Sequence, residues 1–80
     1  MKRVTLYTRA GCHLCEEARK VIDAARLRAA FELEVLDIDA NPLLQRLYNE
    51  EVPVIAIDGV KAFKYRVRSE ELLKKLQARR

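Results

Sequence analysis

Two cysteines, Cys12 and Cys15, stand three residues apart where an apolar run gives way to a helical pattern, and the chain holds no other cysteine. A short strand-like run, Val4 to Tyr7, leads through Gly11 into Cys12-His13-Leu14-Cys15-Glu16. This limits the fold, because a strand must deliver the pair to the start of a helix. One helical turn then holds both sulfurs on one side, near enough to bridge. Cys12 falls at the amino end, where free backbone N–H groups and the helix dipole favour an anion. The thiolate is the reactive form of cysteine, so the pair reads as a redox dithiol. A disulfide scaffold needs more than two cysteines. In a reducing compartment a close pair is better explained by chemistry than by bracing.

Apolar periodicity lays out the elements around that junction. Val4 to Thr8 reads as the first strand, and Cys12 to about Ala30 as a long helix. The apolar positions of this helix are Leu14, Ala18, Val21, Ile22, Ala25 and Ala29, spaced three and four apart. Glu16 and Glu17 stand in its first turns and Arg26 and Arg28 in its last, which suits the helix dipole. Phe31 to Asp39 reads as the second strand. Asn41-Pro42 opens a short helix to about Tyr48, with Asn as cap and Pro at the first helical position. That helix is expected to bury Leu44, Leu47 and Tyr48 and to end at a left-handed Asn49. Val52 to Ile57 is the third strand, Asp58-Gly59 a two-residue hairpin turn, and Val60 to about Tyr65 the fourth strand. A last helix begins near Ser69 and buries Leu72, Leu73 and Leu76.

The order β-α-β-α-β-β-α places the chain in the α/β class. The first β-α-β unit should pair its strands in parallel through a right-handed crossover. The hairpin adds antiparallel strands, so one four-stranded mixed sheet with helices on both faces is expected. Eighty residues make a single domain, 1–80.

Charge and hydropathy exclude several classes. The net charge of +4 is spread over Lys2, Arg3, Arg26, Arg28, the Lys61–Arg68 region, Arg79 and Arg80, with no block to form a nucleic-acid arm. No apolar stretch approaches the ~20 residues of a membrane span. Lys2 and Arg3 are not followed by the apolar segment and small-residue cleavage site of a secretory signal. A complete cytoplasmic domain is therefore expected. For metal, Cys12 and Cys15 supply only half of a four-cysteine site, which a dimer alone would complete. The reading is thus a monomer without metal or organic cofactor.

The dithiol opening the first helix, with Pro53 at the head of the third strand, resembles the thioredoxin superfamily. The small size and the start at strand one resemble glutaredoxins. The chain is most similar to small glutaredoxin-like proteins of bacteria, on Tyr7, Cys12-His13-Leu14-Cys15-Glu16 and the acidic strand end Asp37-Ile38-Asp39. The resemblance implies a thioredoxin-like fold in which Cys12 attacks and Cys15 resolves. It also implies a cis bond before Pro53, although only about 5–6% of such bonds are cis in folded proteins. It further implies that the Val52 backbone faces outward to pair with an extended thiol peptide. Arg9 occupies a position where glutaredoxins often carry a basic residue for a glutathione carboxylate. Two departures stand beside this. His13-Leu14 replaces a common Pro-Tyr, and cationic Lys64-Tyr65-Arg66-Val67-Arg68 replaces a glycine pair. Arg66, Arg68 and the amide at Ser69 are alternative receivers of a carboxylate.

The implied activity is thiol–disulfide exchange on proteins or small thiols such as glutathione, in cell redox homeostasis and electron transport. A reductase or thiol would supply the electrons. His13 has two open readings: a cation that stabilises the Cys12 thiolate, or an exposed spacer. Leu14 reads as an apolar rim. Tyr7, Tyr48 and Tyr65 read as packing or hairpin residues, Tyr65 having a substrate platform as its alternative because of where the fourth strand ends. Two other readings stay open: a binding module that docks partners on the Pro53 face, and a metal-bridged dimer.

Overall fold

The computed structural model describes residues 1–77, so Arg79 and Arg80 lie outside the described residues. Strand β1, Arg3–Thr8, sends successive side chains to opposite faces of the sheet, and Val4, Thr5 and Leu6 are all buried. Val4 and Leu6 point into the main core, while Tyr7 points the other way and stacks on Tyr48, ring centroids 4.6 Å apart. β1 pairs in parallel with β2, Glu32–Asp37, and antiparallel with β3, Val54–Ile57. β3 pairs antiparallel with β4, Val60–Lys64, giving the order β2-β1-β3-β4. The sheet is mixed and four-stranded, as expected.

Helices α1, His13–Ala25, and α3, Ser69–Gln77, meet over the Val4–Leu6 face. Ile22 and Leu72 are fully buried there, with Ile55 of β3 beneath them. Each such side chain contributes about 1.5–3 kcal/mol through removal from water. Helix α2, Pro42–Tyr48, lies on the opposite face, held by the Tyr48–Tyr7 stack. Helices therefore cover both faces. The hairpin turn has φ of +52° at Asp58 and +85° at Gly59, so both central residues are left-handed as such a turn requires.

Several boundaries differ from the sequence reading. α1 stops at Ala25 rather than near Ala30, because Leu27 and Arg28 N–H groups switch to carbonyls three residues back. Arg26 and Arg28 thus follow the helix instead of closing it, and Arg26 lies over the Phe31 ring. β2 ends at Asp37, whose side chain accepts the Asp39 N–H and opens a 3₁₀ turn over Ile38–Ala40. Within α2, Leu47 is 56% exposed rather than buried, since a seven-residue helix seats only Leu44 and Tyr48 part-way on the sheet. Asn49 is right-handed, not left-handed. β3 begins at Val54, leaving Val52 and Pro53 in the preceding loop, and β4 ends at Lys64 before a left-handed Tyr65. Ser69, Leu72, Leu73 and Leu76 stand as expected at the start and on the buried stripe of α3.

Candidate active site

The dithiol is delivered by β1 and a tight turn. Gly11 has φ +76°, a left-handed value that a side chain disfavours, although a Cβ there would meet nothing within 4 Å. The backbone then extends at Cys12, which caps α1. The Cys15 N–H donates to Cys12 Sγ at 3.2 Å, and the Glu16 N–H donates to the Cys12 carbonyl at 3.2 Å. Cys12 thus fills a capping role through sulfur, with the Cys15 amide facing that atom. Cys12 is half-buried, Cys15 is 3% exposed, and both are free thiols. Burial pushes the Cys15 thiol up, and its contact with Cys12 adds to this. The Thr8 hydroxyl and the Arg9 backbone act in the opposite direction on the same sulfur. Both cysteines line a cavity of about 350 Å³ floored by Leu6 and Val35 and bordered by Glu16 and Asp37.

A second loop reaches the same end of the sheet. β1 and β3 run antiparallel with Tyr7 opposite Val54, so the loop leaving β1 meets the loop entering β3. That loop holds Val52 and Pro53, joined by a cis bond as the resemblance implied. Pro53 is buried and Val52 is half-buried. The Tyr65 N–H donates to the Pro53 carbonyl at 2.8 Å and the Tyr65 hydroxyl to the Glu50 carbonyl at 3.1 Å. Lys61 Nζ adds an ion pair with Glu51 at 2.8 Å.

Leu14, Arg66 and Arg68 come together beside this, in a cavity of about 180 Å³ between α1 and the segment leading to α3. Val67 is buried between the two arginines, which turns both outward. Ser69 is the first residue of α3 and is half-buried. His13 faces outward. Its side chain is 81% exposed and its Nε2 lies 2.9 Å from Glu17 Oε2, one turn along the helix.

Arg9 is engaged by the protein's own groups. Its Nε and Nη2 donate to the two Asp39 oxygens at 3.2 and 2.7 Å. Nη1 donates to the Asn49 carbonyl at 2.9 Å and Nη2 to Asn49 Oδ1 at 3.0 Å. Four of its five N–H groups are spent within the protein, so a ligand carboxylate finds no open fork. Arg9 and Gln45 together hold the Asp39 carboxyl down at about 2. Asp39, Gln45 and Asn49 were not legible as site residues. The Arg9–Asp39 pair spans 30 positions and carries no local signal. Thr8 was missed for the same reason, since a strand threonine marks nothing by itself.

Among the described residues, no three His, Cys, Asp or Glu side chains converge as a metal site. No described helix is long and apolar enough to cross a membrane.

Comparison with known proteins follows the same lines. The solution structure of protein Ne2328 from Nitrosomonas europaea superposes with a TM-score of 0.82 at 36% identity, over 95% of this chain and 92% of that one. A Halobacterium salinarum thioredoxin shares the fold, with a TM-score of 0.73 at 16% identity over 95% of this chain and 72% of that one. A Mycobacterium tuberculosis protein is 29% identical over 62 residues, 71% of this chain. The match spans 64% of the length of that curated relative. The family model described as Glutaredoxin-like domain (DUF836) matches residues 3–77. With its thioredoxin fold and its Cys12/Cys15 pair, the chain belongs to this glutaredoxin-like family.

Proposed function

We propose that the chain is a dithiol–disulfide oxidoreductase. The observation that carries this is the pairing of a half-buried Cys12, whose Sγ accepts the Cys15 N–H at 3.2 Å, with a Cys15 thiol buried one turn behind it. Cys12 thiolate attacks a disulfide. One Cys12–target S–S bond forms, the original bond breaks, and the leaving sulfur takes a proton from solvent. Cys15 then loses its proton and attacks Cys12 Sγ. The Cys12–Cys15 bond forms and the second target sulfur leaves as thiolate. Two electrons have passed to the target, and a thiol such as glutathione, or a reductase, returns them. No metal or organic cofactor enters these steps.

Val52 and Pro53 form the ledge along which the target chain lies, and Leu14, Arg66, Arg68 and Ser69 flank it. Leu14 supplies an apolar rim, while the outward arginines attract an acidic neighbour of the target cysteine. His13 faces solvent beside this rim. The protein acts as a monomer in the reducing cytoplasm, where both thiols stay available.

Turnover of a disulfide peptide with a regenerating thiol tests the reading, against Cys12→Ser as control. Wild-type turnover that the control lacks supports it. Equal background rates in both, with partner binding kept by Cys12→Ser, replace it with a docking module.

A further inference from the structure

Arg9 stands one residue beyond β1 and three before Cys12. Its guanidinium crosses to two other segments. One is the 3₁₀ turn after β2, through both oxygens of Asp39. The other is Asn49, three residues before Val52, through carbonyl and side chain. Asp39 is itself fixed, accepting Gln45 Nε2 at 2.8 Å while its N–H donates to Asp37 Oδ1 at 2.9 Å. A two-pronged arginine–carboxylate pair sets orientation as well as distance, which a lysine point charge does not. On the far side, Tyr65 holds Glu50 and Pro53. The loop that holds Val52 and Pro53 is therefore tied to the dithiol loop through Arg9 and to the residue just past β4 through Tyr65.

We propose that Arg9 is a positioning residue that sets the spacing between the Cys12 loop and the Val52–Pro53 loop, so that the site takes a polypeptide disulfide laid along that loop in preference to the carboxylate of glutathione. This rests on the redox reading above. The exchange step is the same as there. Arg9 alters only how the target backbone lies when Cys12 attacks, and near-attack geometry is sensitive to shifts of an ångström.

The test compares three substrates: a disulfide-linked peptide, a glutathionylated cysteine peptide and a small aryl disulfide. Wild type should favour the disulfide peptide over the glutathionylated one. Arg9→Ala should lower kcat/KM on the disulfide peptide about tenfold, mostly through KM, and the aryl disulfide rate by less than about twofold. Arg9→Lys should fail to restore the loss. Asn49→Ala and Asp39→Asn should shift the same parameter in the same direction, though neither contributes a cation. Circular dichroism separates misfolding from mispositioning, and Asn49→Ala carries the test if Arg9→Ala unfolds. Selective loss of the glutathionylated substrate in Arg9→Ala, with Asp39→Asn and Asn49→Ala unaffected, would overturn the proposal and make Arg9 a carboxylate receiver. No wild-type turnover on any of the three overturns the redox reading and this proposal with it.

Discussion

The Tyr65 N–H donates to the Pro53 carbonyl across 2.8 Å, from a residue whose φ of +67° is unusual for a side chain of this size. The left-handed turn points the ring back so that its hydroxyl also reaches the Glu50 carbonyl. Tyr65→Phe keeps the first bond and loses the second. It should cost about 0.5–1 kcal/mol, the low end for a hydrogen bond at an exposed site. Urea titration of both proteins measures it, and an unchanged midpoint would show the hydroxyl bond contributes nothing.

The two thiols should differ sharply in reactivity. Cys15 is 3% exposed and burial pushes its thiol up, whereas Cys12 is half-buried at a helix start. Iodoacetamide at neutral pH should label Cys12 at least about tenfold faster, because rate follows thiolate content and access. Peptide mass spectrometry assigns the label. Cys15→Ser should trap a Cys12–target mixed disulfide, and Cys12→Ser should trap none.

Acid should loosen the clamp around Arg9. The Asp39 carboxyl is lowered from 3.8 to about 2 by the Arg9 and Gln45 hydrogen bonds. A depressed folded-state pKa contributes stability that is full above the unfolded value and is lost as pH falls through the folded one. The window is therefore about pH 4 down to pH 2, and the contribution is small because the pair is exposed to solvent. Asp39→Asn should flatten that part of the stability–pH curve. Urea midpoints at several pH values read it directly.

Two leucines give a contrast in packing. Leu72 of α3 is fully buried in the core shared with α1 and the sheet, and Leu72→Ala should cost about 2–5 kcal/mol. A domain of 80 residues holds only about 4–12 kcal/mol in total, so this variant approaches global unfolding. Leu47 is 56% exposed, and Leu47→Ala should stay within about 0.5 kcal/mol. Thermal melts of the two variants check both values.

These contrasts mark where the sequence was readable. The placing of Cys12 at the head of a helix, the Asn41-Pro42 start, the Asp58-Gly59 turn and the Leu72-Leu73-Leu76 stripe each depend on neighbours a few residues away. Local spacing therefore decided them. The end of α1 was misjudged because Ala29 continues the apolar period while the backbone has already tightened after Ala25. Leu47 was misjudged because periodicity says which side of a helix is apolar, not how much sheet lies under a seven-residue segment. The site divides in the same way. Cys12 and Cys15 announced themselves, and the family resemblance brought Pro53. The partners of Arg9 belong to segments that only the folded sheet brings near, and the turn of His13 toward Glu17 is a rotamer choice that residue type does not fix.

β1 and β3 are the two inner strands, each hydrogen-bonded on both sides, while β2 and β4 form the rims. The sulfur-bearing turn leaves one inner strand and the proline loop enters the other. Fraying at either rim would thus leave the two strands that carry the cysteine turn and the proline loop paired to each other. The exchange chemistry proposed for Cys12 and Cys15 would thereby rest on backbone held by a neighbouring strand on each side.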